Sequence, residues 1–134
     1  MDFEDVELGD DLPNEQPDIS LPKIKQWCAA AEQNFPRFVD HDAARAEGLP
    51  GALVPGIMSQ GFLLAMIHRW APGCTIQRID TVFRGPLVIE TSPTISGAVT
   101  DTDDDERTAE IDLTIVSEEG RTVVMGTAVV GFPG

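Results

Sequence analysis

The chain has 134 residues, of which 42% are hydrophobic and 24% are charged, and its net charge at pH 7 is −14. This length and composition are typical of one globular domain, so we expect residues 1–134 to form a single domain. The nine lysines and arginines are scattered singly, which argues against a nucleic-acid partner. The acidic N-terminus is not a signal peptide, and no apolar stretch is long enough to span a membrane, so we expect a cytoplasmic protein without a membrane partner.

Helical patterns occupy the first half of the chain. Glycine and proline breaks in the first 20 residues predict a short strand or arm laid over the main body. A helix is predicted from Leu21 to about Glu32, with Ser20 as its N-cap and a proline in its first turn. A second, short helix is predicted from Asp40 to Glu47, ending at the glycine that follows.

The third predicted helix lies in the stretch "PGIMSQGFLLAMIHRWAPG". Apolar residues cover most of the circumference of the segment Ile57–Trp70, so the pattern predicts a largely buried central helix. Such a helix needs other elements around it. We therefore expect Leu64→Asp to bury an unpaired charge and to prevent folding.

The second half of the chain has the composition of strands. Residues from Thr75 onward are rich in Thr, Val and Ile, and polar and apolar residues alternate from Ala109 to Ile115, as in a strand exposed on one face. "SEEGR" predicts a hairpin turn with Gly120 at its tip. The order of elements predicts an α+β fold in which an antiparallel sheet of three or four strands wraps around the helix. Four residues are expected to face inward: Ile111, Leu113, Val123 and Met125.

Four segments resemble the MaoC-like hydratases and dehydratases, enzymes that add water to acyl thioesters or remove it. They are "GDDLP", "AARAEGL", "ALVPGIMSQGFL" and "VFRGPL", in this order from Gly9 to Leu87. The resemblance implies a hotdog fold with an antiparallel β-sheet wrapped around a long buried central helix. It also implies activity in fatty acid or lipid metabolism, on acyl-CoA or another acyl thioester. The expected assembly is a homodimer joined edge to edge, or a hetero-oligomer with another hotdog subunit. No cofactor is implied.

The catalytic motif of this family reads D-x-N-P-x-H, and the resemblance places it on residues 33–38. Gln33 then stands at the position of the Asp, Phe35 at that of the Asn, Pro36 at that of the Pro and Phe38 at that of the His. A glutamine side chain cannot hold a negative charge or take up a proton near neutral pH, and a phenyl ring has no titratable group. Both positions of the acid–base pair are therefore substituted.

Two nearby residues could replace the missing pair. His41 lies three residues beyond Phe38, and Glu32 is adjacent to Gln33, although their spacing differs from that of the motif. The flanking residues Asp40 and Asp42 favour a simpler reading, in which His41 is an exposed residue at a helix start.

The start of the central helix offers a second feature that chemistry could use. In the family, a glycine amide here points at the thioester carbonyl, and the resemblance assigns Gly56 and Ile57 to this oxyanion and thioester-binding role. Pro55 stands where the family often has histidine. The alternative is that Gly56 only forms a tight turn into the helix.

Metal and cysteine chemistry have little support in the sequence. "DTDDDE" lacks the glycine and glutamate positions of a calcium-binding loop and predicts a solvated hairpin loop, and no spacing of His and Cys fits zinc. Cys28 and Cys74 are expected to be buried thiols. A highly charged ligand such as coenzyme A would need a local cluster of the few arginines.

Three classes of function remain open from the sequence. The chain is a catalytically degenerate or partner-dependent hydratase subunit that keeps an acyl-CoA cradle, or an active enoyl-CoA hydratase that uses His41 or Glu32. The third class is a hotdog thioesterase or a non-enzymatic acyl-binding module. The central helix contains none of the carboxylates that a thioesterase usually needs there.

Overall fold

The computed structural model describes all 134 residues, with the helical elements first and the strands second. A single 3₁₀ turn, Phe3–Asp5, precedes them. The helices are α1 (Leu21–Ala30), α2 (Pro36–Val39), α3 (His41–Ala46) and α4 (Gly56–Trp70), and the strands are β1 (Thr75–Phe83), β2 (Thr94–Asp103), β3 (Thr108–Val116) and β4 (Thr122–Gly131).

The four strands form one antiparallel sheet in the order β1–β4–β3–β2, and α4 packs on one face of it. The inward face of β3 consists of alternate apolar residues, including Ile111 and Leu113, which are at most 1% exposed. Leu63, Met66 and Ile67 of α4 are equally buried in the same hydrophobic cluster. The predicted α+β hotdog fold is therefore confirmed.

Helix α4 buries only part of its surface, which differs from the prediction of a largely buried helix. Leu63 is 0% exposed, but Leu64 is half-buried and Ile57, Gly61 and His68 are exposed. These exposed positions share a face of the helix because they recur at three- and four-residue spacing. Within one chain nothing covers this face, so its apolar residues are available to a ligand or a partner.

Met125 was expected to face inward, and this prediction is wrong. Ile115 pairs with Val124 and Val116 pairs with Thr122, so Val123 is an extra residue in β4. This irregularity buries both Val123 and Val124 and turns Met125, which is 42% exposed, to the outer face. Alternation cannot be extended through such a bulge.

The two edges of the sheet differ. Residues before α1 run along β2 and form bridges from Asp11 to Ala98 and from Glu15 to Ile95, so the predicted arm is present and covers this edge. On the opposite side, β1 pairs with β4 and has no second neighbour. A free edge strand of nine residues is a template for pairing with another chain.

Local signals set most element ends. Helix α1 ends at Ala30 rather than Glu32, because Glu32 adopts a left-handed conformation with φ 55°. Helix α3 is one residue shorter at each end than the predicted Asp40–Glu47, because Asp40 is its N-cap: the Asp40 carboxylate accepts hydrogen bonds from the amides of Asp42 and Ala43. Gly120 has φ 87° in the β3–β4 hairpin, as expected for the tip of such a turn. No helix in the chain is long and apolar enough to cross a membrane.

Candidate functional site

The start of α4 presents unpaired backbone donors. The amides of Gly56, Ile57 and Met58 have no acceptor within the protein, and Pro55 provides no side-chain cap. The first amides of a helix lie at the positive end of its dipole, so they can bind an oxygen that carries negative charge. The two residues expected to contact a thioester, Gly56 and Ile57, are both solvent-exposed.

A close contact, rather than a turn, restricts the side chain at Gly56. Its φ is not positive, so the tight-turn explanation does not apply. A Cβ at this position would lie 3.2 Å from Cζ of Phe83, at the end of β1, which is tighter than ordinary carbon contacts. The Phe83 ring, 53% exposed, therefore forms an apolar wall beside the free amides.

Helix α2 is attached to the segment that leads into α4. The amide of Leu53 donates to the carbonyl oxygen of Arg37 at 2.9 Å, which holds the neighbouring Phe38 close to this segment. The ring of Phe38 is half-buried against the core and meets Phe35 edge to face at 5.9 Å. Phe38 thus packs, and no titratable group takes its place.

Gln33 lies in the turn between α1 and α2. Its backbone amide donates to the carbonyl oxygen of Cys28 at 2.9 Å, which continues the end of α1. The side chain is half-buried and makes no hydrogen bond within the chain. Its amide is therefore free to contact a ligand as a hydrogen-bonding group, but not as an acid or a base.

His41 is held at both of its ring nitrogens. Nδ1 accepts a hydrogen bond from the amide of Ala52 at 3.0 Å, so Nε2 carries the proton and donates to Oε1 of Glu90 at 2.7 Å. The side chain is 31% exposed, so His41 is not the freely exposed histidine that the sequence suggested. Neither nitrogen is available to a substrate in this arrangement.

The pair His41–Glu90 lies beside Ala52, four residues before the helix start at Gly56. Leu53 and Val88 form a bridge between two segments of the chain. Ala52 comes before this bridge in the sequence, and Gly56 comes after it. Glu90 flanks the Ala52 side, because the amide of Ile89 donates to the Ala52 carbonyl. His41 is therefore bound next to Ala52, on the opposite side of the bridge from Gly56.

Sequence reasoning considered Glu32 as the partner of His41 and missed Glu90. Glu32 is exposed and makes no ion pair. Glu90 is 49 positions from His41, and no local pattern links residues at that distance. Its left-handed backbone, φ 63°, was also not signalled, because glutamate rarely adopts that conformation.

The remaining titratable clusters are small. Cys74 Sγ lies 3.8 Å from Nδ1 of His68, and burial raises the pKa of the Cys74 thiol and that of Cys28. Both thiols are therefore weak nucleophiles near neutral pH. The acidic loop after β2 is a hairpin turn in which Asp103 accepts from two following amides. No three His, Cys, Asp or Glu side chains are grouped to hold a metal ion.

An open groove of about 550 Å³ runs between the exposed face of α4 and the free edge strand. Leu64 and His68 line it from the helix, and Ile76 and Ile79 line it from β1. At the N-terminal end of the same helix, Gln60 Nε2 donates to Thr81 Oγ1 at 3.1 Å. The groove therefore lies beside the C-terminal half of α4, and the free amides lie at the opposite end of the same helix.

Solved structures share this architecture, although no family model and no curated protein matches the sequence. The (R)-hydratase from A. caviae involved in PHA biosynthesis is 20% identical, with a TM-score of 0.89 over 96% of this chain and 98% of that one. The ChsH1–ChsH2 complex from Mycobacterium tuberculosis contains a chain that is 21% identical, with a TM-score of 0.86 over 96% and 99%. A MaoC-like dehydratase from Rhodospirillum rubrum is 17% identical, with a TM-score of 0.80 over 100% and 98%. This chain has the hotdog fold of these hydratases and dehydratases.

Proposed function

We propose that the chain is an acyl-thioester-binding hotdog subunit of the hydratase and dehydratase type, which keeps the carbonyl-binding helix start and lacks its own acid–base pair. The observation that carries this proposal is the contrast at the site. Gly56 and Ile57 present free amides, while Gln33 and Phe38 occupy the positions where an acid and a base are expected. The fold shared with hydratases and dehydratases supports this class of ligand.

The free amides favour an enolate-like oxygen over a neutral carbonyl. Hydration of a 2-enoyl thioester, or the reverse dehydration, places negative charge on the thioester oxygen in the transition state. Two or three preorganised N–H donors stabilise that charge without reorganisation. The Phe83 ring lies beside Gly56, and an apolar neighbour lowers the local dielectric around these donors.

The proton transfers need other groups. A positioned acid or base typically contributes about 10²–10⁴-fold to the rate, so a site with only the amides is expected to turn over slowly. His41 does not supply the transfer in this arrangement, because both of its ring nitrogens are engaged. An active enzyme built on His41 would have to break its contact with Glu90 or with Ala52.

A second subunit is the natural source of the missing groups. The edge of β1 is free, and the exposed face of α4 lies beside it. One structure of this fold is a ChsH1–ChsH2 complex, so assembly of two different chains occurs among proteins of this shape. A partner that pairs with β1 would lie next to the groove and could contribute an acid and a base.

The sequence of β1 also permits pairing with a second copy. If two β1 strands meet antiparallel with Ile79 on the axis, Arg78 lies opposite Asp80 of the second copy. The neighbouring in-register alignments place Arg78 opposite Arg78, or Asp80 opposite Asp80, which is unfavourable. Such a homodimer would contain two carbonyl sites and no acid–base pair.

The test compares thioester binding with turnover. Binding of butyryl-pantetheine, a saturated and unreactive thioester, is measured by calorimetry for the chain and for Gly56→Val, which shields the amides and displaces Phe83. Hydration of crotonyl-CoA is measured for the chain alone and for Gln33→Asp with Phe38→His. A third preparation contains any hotdog protein that co-purifies. Thermal melts confirm that each variant is folded.

We expect the chain to bind the thioester, Gly56→Val to lose binding, and turnover to rise at least about 10²-fold with the restored pair or with a partner. Fast turnover by the unmodified chain alone, abolished by His41→Ala, would transfer the catalysis to His41 and refute the proposal. Absence of both binding and turnover in all preparations would refute the whole class of function.

A further inference from the structure

Most basic side chains of this acidic protein are neutralised by a specific carboxylate. Five of the nine form ion pairs: Arg37 with Glu47, Arg45 with Asp42, Arg69 with Glu15, Arg78 with Asp80, and Arg107 with Glu4. Four remain without an ion pair. Two of these are lysines on α1, and the other two are Arg84 and Arg121.

The topology of the sheet brings Arg84 and Arg121 together. Arg84 follows the end of β1 and Arg121 precedes the start of β4, and these strands are antiparallel neighbours. The amides of Arg84 and Gly85 both donate to the carbonyl oxygen of Val123, at 2.8 and 3.3 Å. The hairpin that carries Arg121 is closed by hydrogen bonds from the Ser117 amide to the Arg121 carbonyl and from the Arg121 amide to Ser117 Oγ.

Both arginines line one groove of about 470 Å³. Ser117 and Thr122 line it as well, and guanidinium and hydroxyl groups are both hydrogen-bond donors. Arg84 also borders a second groove, which contains Asp80 and Asp112. Glu119 is the one carboxylate in its lining, which leaves a net positive charge in the groove. In a chain of net charge −14, two unpaired arginines in one groove form the local cluster that an anion needs.

We infer that Arg84 and Arg121 form a subsite for a phosphate group of the thioester carrier. Guanidinium groups bind phosphate oxygens through paired, charge-assisted hydrogen bonds. The groove is lined by Arg84, which directly follows Phe83, and the Phe83 ring covers Gly56. The next residues, Gly85–Val88, run beside the residues that lead into α4. A carrier with its phosphate here would have its thioester directed toward the start of α4.

The assignment of the anion to a thioester carrier rests on the proposed function, whereas the anion site itself does not. The experiment uses three ligands with the same acyl group on the full-length protein: butyryl-pantetheine, butyryl-4′-phosphopantetheine and butyryl-CoA. Calorimetry at low and at moderate salt gives the dissociation constant of each. The first two ligands differ by one phosphate, and CoA adds the adenine nucleotide with its further phosphates.

The variant is Arg84→Gln with Arg121→Gln. Its control is Lys23→Gln with Lys25→Gln, which removes the other two basic side chains without an ion pair and changes the net charge equally. We expect the arginine variant to weaken binding of the phosphorylated ligands roughly 10-fold at low salt, with less effect at higher salt because the groove is open to solvent. Binding of butyryl-pantetheine is expected to be unchanged in both variants. Glu119→Gln, which removes the opposing charge, is expected to tighten binding of the phosphorylated ligands.

The outcomes separate the two proposals. If butyryl-pantetheine binds but phosphates add no affinity, or if the lysine control loses as much as the arginine variant, the phosphate subsite is refuted and the carbonyl site stands. If the phosphorylated ligands bind through the arginines while butyryl-pantetheine does not bind, the anion site stands and the proposed function fails. If the full gain in affinity is already present with butyryl-4′-phosphopantetheine, the carrier is the arm of a carrier protein. If butyryl-CoA binds still more tightly, the nucleotide is part of the ligand. Either result supports the subsite.

Discussion

Leu63 and Leu64 are adjacent residues of α4 with opposite environments, and their substitution tests how the helix is used. Leu63 is 0% exposed and lies in the cluster formed by α4 and the inner face of the sheet. Leu64 is half-buried and lines the groove beside β1. The two positions have the same residue type and the same helix propensity, so each variant is the control for the other.

Leu63→Ala leaves a cavity in the core, and a fully buried leucine costs about 2–5 kcal/mol when it is replaced by alanine. For a domain of this size, at about 3–4 °C per kcal/mol, this loss lowers Tm by roughly 6–20 °C. Leu64→Ala removes a side chain that is still partly in water, so its cost in the monomer is under about 1 kcal/mol. Leu63→Asp, rather than the Leu64→Asp change suggested by the sequence, is the substitution expected to prevent folding.

Thermal melts followed by circular dichroism at two protein concentrations measure both effects. If the groove is covered in an assembly, the cost of Leu64→Ala rises with concentration, because association stabilises the folded state by mass action. The cost of Leu63→Ala changes little with concentration. Equal losses for the two variants in a species that sediments as a monomer would contradict the assigned burial of α4.

Two further predictions concern assembly and pH. At low salt Arg78→Glu is expected to weaken self-association by roughly 5-fold, and the double variant Arg78→Glu with Asp80→Arg is expected to restore it. Sedimentation velocity measures the self-association of both variants. A double variant that associates as weakly as the single one would argue against pairing centred on Ile79. The hydrogen bond from Arg107 lowers the pKa of Glu4 below its ordinary value, so the pair contributes stability above that ordinary value and loses it as the pH falls through the lowered one. The Tm of the wild type should therefore fall more steeply on acidification than that of Glu4→Gln, and parallel curves would show that the pair does not stabilise the fold.

The class of the fold was predictable because its signals are local or periodic. Alternation from Ala109 to Ile115 gave the inward face of β3, and the glycine at 120 gave the hairpin. The apolar pattern predicted the first residue of the central helix to within one position. These features depend on the repeat of the helix or strand backbone, which appears directly in the spacing of apolar residues along the sequence.

The errors arise where burial depends on something outside the element. A helix apolar on most of its surface was expected to be enclosed, yet within one chain the sheet reaches only one side of it. Composition does not distinguish an apolar face that meets the core from one that meets a ligand or a partner. Met125 was misplaced for a different reason, because the extra residue Val123 reverses the alternation after it.

The candidate site was only partly predictable for the same reason. Gly56 could be located from a resemblance, but the contact that restricts its side chain is with Phe83, 27 positions later in the chain. The environment of His41 depends on Ala52 and Glu90, and the arginine groove depends on two residues that only the strand order brings together. Contacts between distant residues leave no periodic trace in one sequence.

Under the proposed function, binding and chemistry are carried by different groups, and their losses are expected to have different consequences. The free amides, the apolar groove and the two arginines would contact bound thioester whether or not a proton moves. Gln33 and Phe38 would affect only the proton transfers. A group that acts only in the transition state changes kcat without changing affinity. We therefore expect a chain with free amides and no acid–base pair of its own to bind thioester without fast turnover, and to serve as the binding half of a site that a second subunit completes.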